Sequence, residues 1–199
     1  MLTDETLAKI VHRIFLERRS TLLAESAKFQ ATDLANTCLG LREQMLSCLE
    51  RLPALAFKAE PGRQPGEAGW TAGEIVSTNS DRLVWALTEA ASTIEVSDSN
   101  LPRPPEVVVN NSSYEPQLLD RDIALEVLQA ANDYLKAVLP LLLSTDRGQT
   151  AARTHHGSMS VKSWLLLICI HDNDHLGQLR ARHDPSTSDQ YSDDVLRQE

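Results

Sequence analysis

At 199 residues the chain is long enough for one well-cored domain with some extension or tail. A formal net charge of -9 repels phosphate backbones, and no Lys/Arg-rich patch with interleaved aromatics offsets it, which argues against a nucleic-acid partner. The acidic start, Met1 to Thr6, lacks a signal-peptide core, and the longest proline-free apolar run, Trp164 to Ile170, is far short of the roughly 20 residues that span a bilayer, so no membrane contact is expected.

Thr3 reads as the N-cap of a first helix, with Leu7, Ile10, Val11, Ile14, Phe15 and Leu22 at helical spacing. Thr32 or Asp33 caps a second helix carrying Leu34, Cys38, Leu41, Met45, Cys48, Leu49 and Leu52. Pro53 ends it, having no N–H to donate. Residues 58–69 hold two prolines and three glycines and read as a loop. Thr71 caps the next helix with Glu74 at capping-box spacing, followed by Ile75, Val76, Leu83, Val84 and Leu87. Residues 92–118 are polar and proline-rich and form a long connection, in which Val107 to Val109 could be a short extended piece. Asp120 or Asp122 starts a fourth helix through Leu139, residues 144–158 form a polar loop, and a last helix runs from near Ser160 to near Ala181. Five helices and no convincing strand make an all-α protein, a four-helix bundle with an extra N-terminal helix and long crossover loops.

Cys38, Cys48 and Cys169 show no paired spacing, which argues for a reducing, cytoplasmic setting. Cys169 lies in the apolar run and reads as a small buried hydrophobe. Trp164, Ile168, His171, His175 and Gln178 follow steps of four, three, four and three, so the two histidines continue an inward stripe. Two inward imidazoles one turn apart can grip a divalent metal. They can equally be two hydrogen-bonded core histidines.

Two stretches resemble a known family. Gly69-Trp70-Thr71-Ala72-Gly73-Glu74-Ile75-Val76 resembles the tryptophan-led helix start of the DinB-like, or YfiT-like, superfamily of metalloenzymes. Gly157-Ser158-Met159-Ser160, Trp164-Leu165, His171-Asp172 and His175-Leu176-Gly177-Gln178-Leu179 resemble its closing motif. The resemblance covers roughly residues 32–182. It divides the chain into an N-terminal helical extension (1–30), a DinB-like helical bundle (31–182) and a polar C-terminal tail (183–199). It implies a bundle, often dimeric, that holds zinc, nickel or iron on three histidines. It also implies transferase or isomerase chemistry with a low-molecular-weight thiol such as bacillithiol or mycothiol.

The chain departs from that pattern at one ligand. Counted from Trp70, the first histidine falls at Thr78, and residues 71–91 contain no histidine. Thr78 and its neighbour Asn79 are weak donors to such ions. His171 and His175 remain as candidate metal ligands. Asp174, or His155 or His156 from the preceding loop, could complete the set, with Asp172 supporting from behind. Trp70, Trp85 and Trp164 read as core anchors, and Gln178 as a buried hydrogen-bonding group or one that orients a ligand. His12 and His183 have no visible partner.

Two functional readings stay open. One is a divalent-metal-dependent thiol transferase or related enzyme with an incomplete metal site. The other is a metal-free module that binds a small molecule or acts as a homodimeric interaction unit.

Overall fold

The computed structural model describes residues 2–64, 66–96, 100–145, 152–154 and 157–183. These form α1 (Asp4–Val11), α2 (Leu22–Ser26), α3 (Ala31–Arg51), α4 (Ala72–Thr93), α5 (Glu106–Asn111), α6 (Arg121–Thr145) and α7 (Val161–His183). A two-stranded antiparallel ribbon, β1 (Ala152–Thr154) and β2 (Gly157–Met159), pairs Arg153 with Ser158. The protein is predominantly helical. Among the described residues no helix is long and apolar enough to cross a membrane.

The four long helices pack in a closed ring: α3 on α7 and α6, and α4 on α6 and α7. Helix α7 is buried along both sides (Trp164, Leu165, Leu166, Ile168, Cys169, Leu176 and Leu179), because α1, α2 and β2 also pack on it. Leu7 and Ile10 of α1 and Leu22 of α2 belong to the same core as the long helices.

Local chemistry explains the helix starts. Thr71 and Glu74 form a reciprocal capping box, and Arg63 adds a 2.5 Å ion pair to Glu74 Oε2. Ser160 and Ser163 cap α7 in the same reciprocal way, each accepting from the other's backbone N–H. Helix α6 continues through Pro140 to Thr145, and the burial of Leu139 and Leu142 holds the helix where proline removes a bond.

Four expectations are corrected. The first helix does not run on to Leu22. It ends at Val11, widens into a π-helical turn (His12–Leu16), and reverses at Arg18, whose φ is 52°. The run from Glu17 to Ser20 offers no apolar residue to bury, and Thr21 caps a new helix by accepting from the Ala24 N–H. Helix α3 begins one residue before Thr32, after Gln30, with no side-chain cap. Val107 to Val109 are helical, not extended. Pro105 leads into the helix with a pre-set φ, only Val108 is buried, and among the described residues no strand lies alongside. The loop expected over 144–158 contains β1 and β2, anchored by the buried Met159.

Two outcomes follow. Gly73 lies where an added Cβ would run into the backbone of Leu119. Helix propensity alone favours Gly73→Ala, but here the clash dominates. The variant is expected to lose about 1–3 kcal/mol, read as a lower urea midpoint. Separately, the Arg13 guanidinium bonds Glu25 at 3.0 and 2.7 Å and holds its carboxyl at about 2, against the ordinary 4.5. The folded state therefore binds fewer protons than the unfolded chain. Stability from this pair is whole above pH 4.5 and is lost as pH falls toward 2. Thermal melts at pH 2–5 should show a flatter acid decline in Glu25→Gln than in the parent.

Candidate functional site

One arginine lies at the centre of the helical ring. Arg42 of α3 is 1% exposed. Its Nε donates to Asn132 Oδ1 of α6 at 2.7 Å. Its Nη1 donates to Asn79 Oδ1 of α4 at 2.5 Å and to Asp172 Oδ1 of α7 at 3.2 Å. Asn79 Nδ2 donates to the same Asp172 oxygen at 2.8 Å. Each long helix thus contributes one polar group to a buried clasp. A guanidinium withdrawn from water is costly unless it is paired and its N–H groups are bonded. Nη2 of Arg42 and Oδ2 of Asp172 have no partner among the described residues.

The clasp runs into the histidine pair. Asn79 Nδ2 faces His171 Nδ1 at 3.5 Å, His171 Nε2 lies 3.2 Å from His175 Nε2, and His175 Nδ1 lies 2.9 Å from Gln178 Oε1. Gln178 Nε2 donates to Glu67 Oε2 at 3.2 Å and Asp174 Oδ2 at 3.1 Å. The proton positions follow from both ends. Two carboxylates require the Gln178 NH2, so its Oε1 accepts from His175 Nδ1–H and leaves His175 Nε2 as an acceptor. At the other end Arg42 can only donate and the Asp172 carboxylate can only accept. The Asn79 NH2 therefore points at His171 Nδ1, which accepts, and His171 carries its proton on Nε2. The result is a continuous hydrogen-bonded chain through the two imidazoles. Burial, then His175 and the guanidiniums of Arg82 and Arg42, push His171 well below the usual imidazole range.

His171 opens onto a cleft of about 1160 Å³. The π-helical turn and α2 form one wall through Phe15 and Leu22, and α4 another through Thr78, Arg82 and Trp85. Helix α7 contributes Leu167, Ile168, His171 and Asp172, and the connection before α6 contributes Tyr114 to Pro116. Thr78, 6% exposed, lines the cleft with no partner for its Oγ1 among the described residues.

No protein-family model matches this chain, and no curated protein or solved structure matches it.

The structure brings His171 and His175 together as the sequence expects, and puts Thr78 on the wall beside them. Asp174 is half-buried and engaged with Gln178, and burial raises its carboxyl above the ordinary value. Asp172 is fully buried in the clasp. His155 and His156, and the side chain of His183, lie outside the described residues. His12 is exposed, 3.6 Å from Glu17. Trp70 is half-buried and stacks on His175 with centroids 6.2 Å apart, while Trp85 and Trp164 meet edge to face at 5.2 Å.

For a divalent ion, a 3.2 Å separation of the two Nε2 atoms suits a pair of bonds about 2.0–2.1 Å long. The proton placement does not suit one. A ligating imidazole donates its other N–H to an acceptor, yet Asn79 presents a donor to His171 Nδ1. Among the described residues no three His, Cys, Asp or Glu side chains converge on one metal position.

Arg42, Asn79, Asn132 and Asp172 form the part that sequence reasoning passed over. The signal was present as four polar residues at core spacing. Arg42 follows Cys38 by four, Asn79 follows Ile75 by four, Asn132 precedes Leu135 by three and Asp172 precedes Leu176 by four. Sequence also gave no hint that Cys38 and Cys169 meet, both buried, with Sγ atoms 3.2 Å apart. That contact, then burial, raises the Cys38 thiol well above its ordinary value.

Arg42→Met should cost about 3–5 kcal/mol, because it leaves the Asp172 charge buried alone. Adding Asp172→Asn should recover part of that loss. In urea unfolding, the double variant is expected to lose less than the two single variants summed.

Proposed function

We propose that this chain is a DinB-like four-helix bundle that binds a small organic molecule in the cleft without a metal. Its histidine pair acts as a hydrogen-bonded unit that presents a neutral His171 to the wall. The tryptophan-led helix start, the closing motif and the ring of four long helices support the family reading. The observation that carries the metal-free reading is the Asn79 amide, which presents N–H groups to His171 Nδ1 and is held that way by Arg42 and Asp172. A cleft somewhat larger than ordinary ligand pockets, with apolar walls and a few polar groups, supports the binding reading.

The second reading is a divalent-metal-dependent thiol transferase. Its support is the Nε2 separation of the two histidines. It requires the proton of His171 to move to Nδ1, against Asn79, and a third donor from outside the described residues.

Histidine tautomers and metal content separate the two. Long-range proton–nitrogen spectra should show His171 protonated on Nε2 and His175 on Nδ1. Elemental mass spectrometry on untagged protein incubated with zinc, nickel or iron(II) should find far less than one ion per chain. Near-stoichiometric metal that disappears in His171→Ala would overturn the metal-free reading.

A further inference from the structure

We propose that the cleft takes an organic carboxylate with a compact apolar body, its carboxylate set against Arg82. This rests on the cleft being a small-molecule site and names the class of molecule.

Arg82 carries the inference. Its guanidinium carbon lies 4.5 Å from the Tyr114 ring centroid and 5.7 Å from that of Trp85. Aromatic faces attract a cation and restrict where it can go, but they do not satisfy its five N–H groups as a carboxylate would. Among the described residues no carboxylate lies within ion-pair distance of Arg82. The acids along the cleft do not fill this role. Asp172 is bonded to Arg42, Glu67 accepts from Gln178, and Glu115 is exposed at the rim. Asp81 is adjacent in sequence and half-buried, and does not bond Arg82. A guanidinium held by rings and open to a cleft suits a planar two-oxygen anion.

The second observation is Thr78. It lies one helical turn before Arg82 on the same face of α4, about 6 Å along the axis. Its buried Oγ1 has no partner among the described residues, and its side chain lines the cleft. A polar atom left unbonded in a buried wall is unfavourable, and a ligand group or water would relieve it. The same cleft has apolar side chains in its walls: Phe15, Leu22, Leu83, Leu167 and Ile168. A ligand anchored at Arg82 would lay its body on these side chains and reach Thr78 with its far end.

The test is calorimetric titration of the full chain with benzoate, 3-phenylpropionate and octanoate, each beside its neutral amide. At least one acid should bind ten or more times tighter than its amide. Arg82→Gln should abolish that preference, and Arg82→Lys should keep part of it. Equal binding of acid and amide, or an acid preference that survives Arg82→Gln, overturns the carboxylate and leaves the small-molecule reading standing. Binding of neither acids nor amides, with no chemical-shift change at Leu167, Ile168 or Trp85, overturns both.

Discussion

The rest of the structure depends on a charge that has been taken out of water. Arg42 can be buried only because three other helices each bring it an acceptor. Apolar packing is tolerant of small slides, since one methyl contact replaces another. Hydrogen bonds of 2.5–3.2 Å to a planar cation are not tolerant. A shift of α4, α6 or α7 along its axis would strand a polar group in the core, so the clasp holds the register of the ring. The buried Cys38–Cys169 contact lies one turn away on α3 and supports the same seam between α3 and α7.

That constraint reaches the cleft through one amide. Arg42 and Asp172 decide which way Asn79 faces, Asn79 decides which nitrogen of His171 is protonated, and His171 passes the assignment to His175 and Gln178. The chain ends at Glu67, on the short 3-10 turn Glu67–Gly69, and at Asp174. Burial and two nearby guanidiniums keep His171 neutral, so it meets the cleft as a hydrogen-bonding ring and not as a cation. The stack of Trp70 on His175 closes that end. In this arrangement the histidine pair is already satisfied internally, and Arg82 and Thr78 stand on the cleft wall with no carboxylate on the one and no hydrogen bond to the Oγ1 of the other among the described residues.

About half of the cleft lining comes from parts outside the long helices. Residues 1–30 lie outside the family resemblance, yet Ile14, Phe15, Leu16 and Leu22 supply one wall. The segment between α5 and α6 supplies Tyr114 to Pro116. It also presses Leu119 against Gly73, where only a residue without Cβ fits. The π-helical turn and the reversal at Arg18 are what turn these apolar side chains toward α4 and α7.

Sequence by itself determined the helices, because each of the long ones carries an apolar stripe of helical period and a local stop or start signal. It determined the capping box at Thr71 and Glu74, the spacing of His171 and His175 on one face, and the absence of a histidine at Thr78. These are properties of neighbours within four residues. Tertiary structure decided the rest. Which nitrogen of His171 holds a proton depends on Arg42, 129 positions away in the chain. Whether Val107 to Val109 would be strand or helix depended on what lay beside them, and among the described residues no strand does. Whether Arg82 would meet a carboxylate depended on how four helices and two connections close around it. Spacing within a helix sets which side chains share a face, but only packing sets what that face meets.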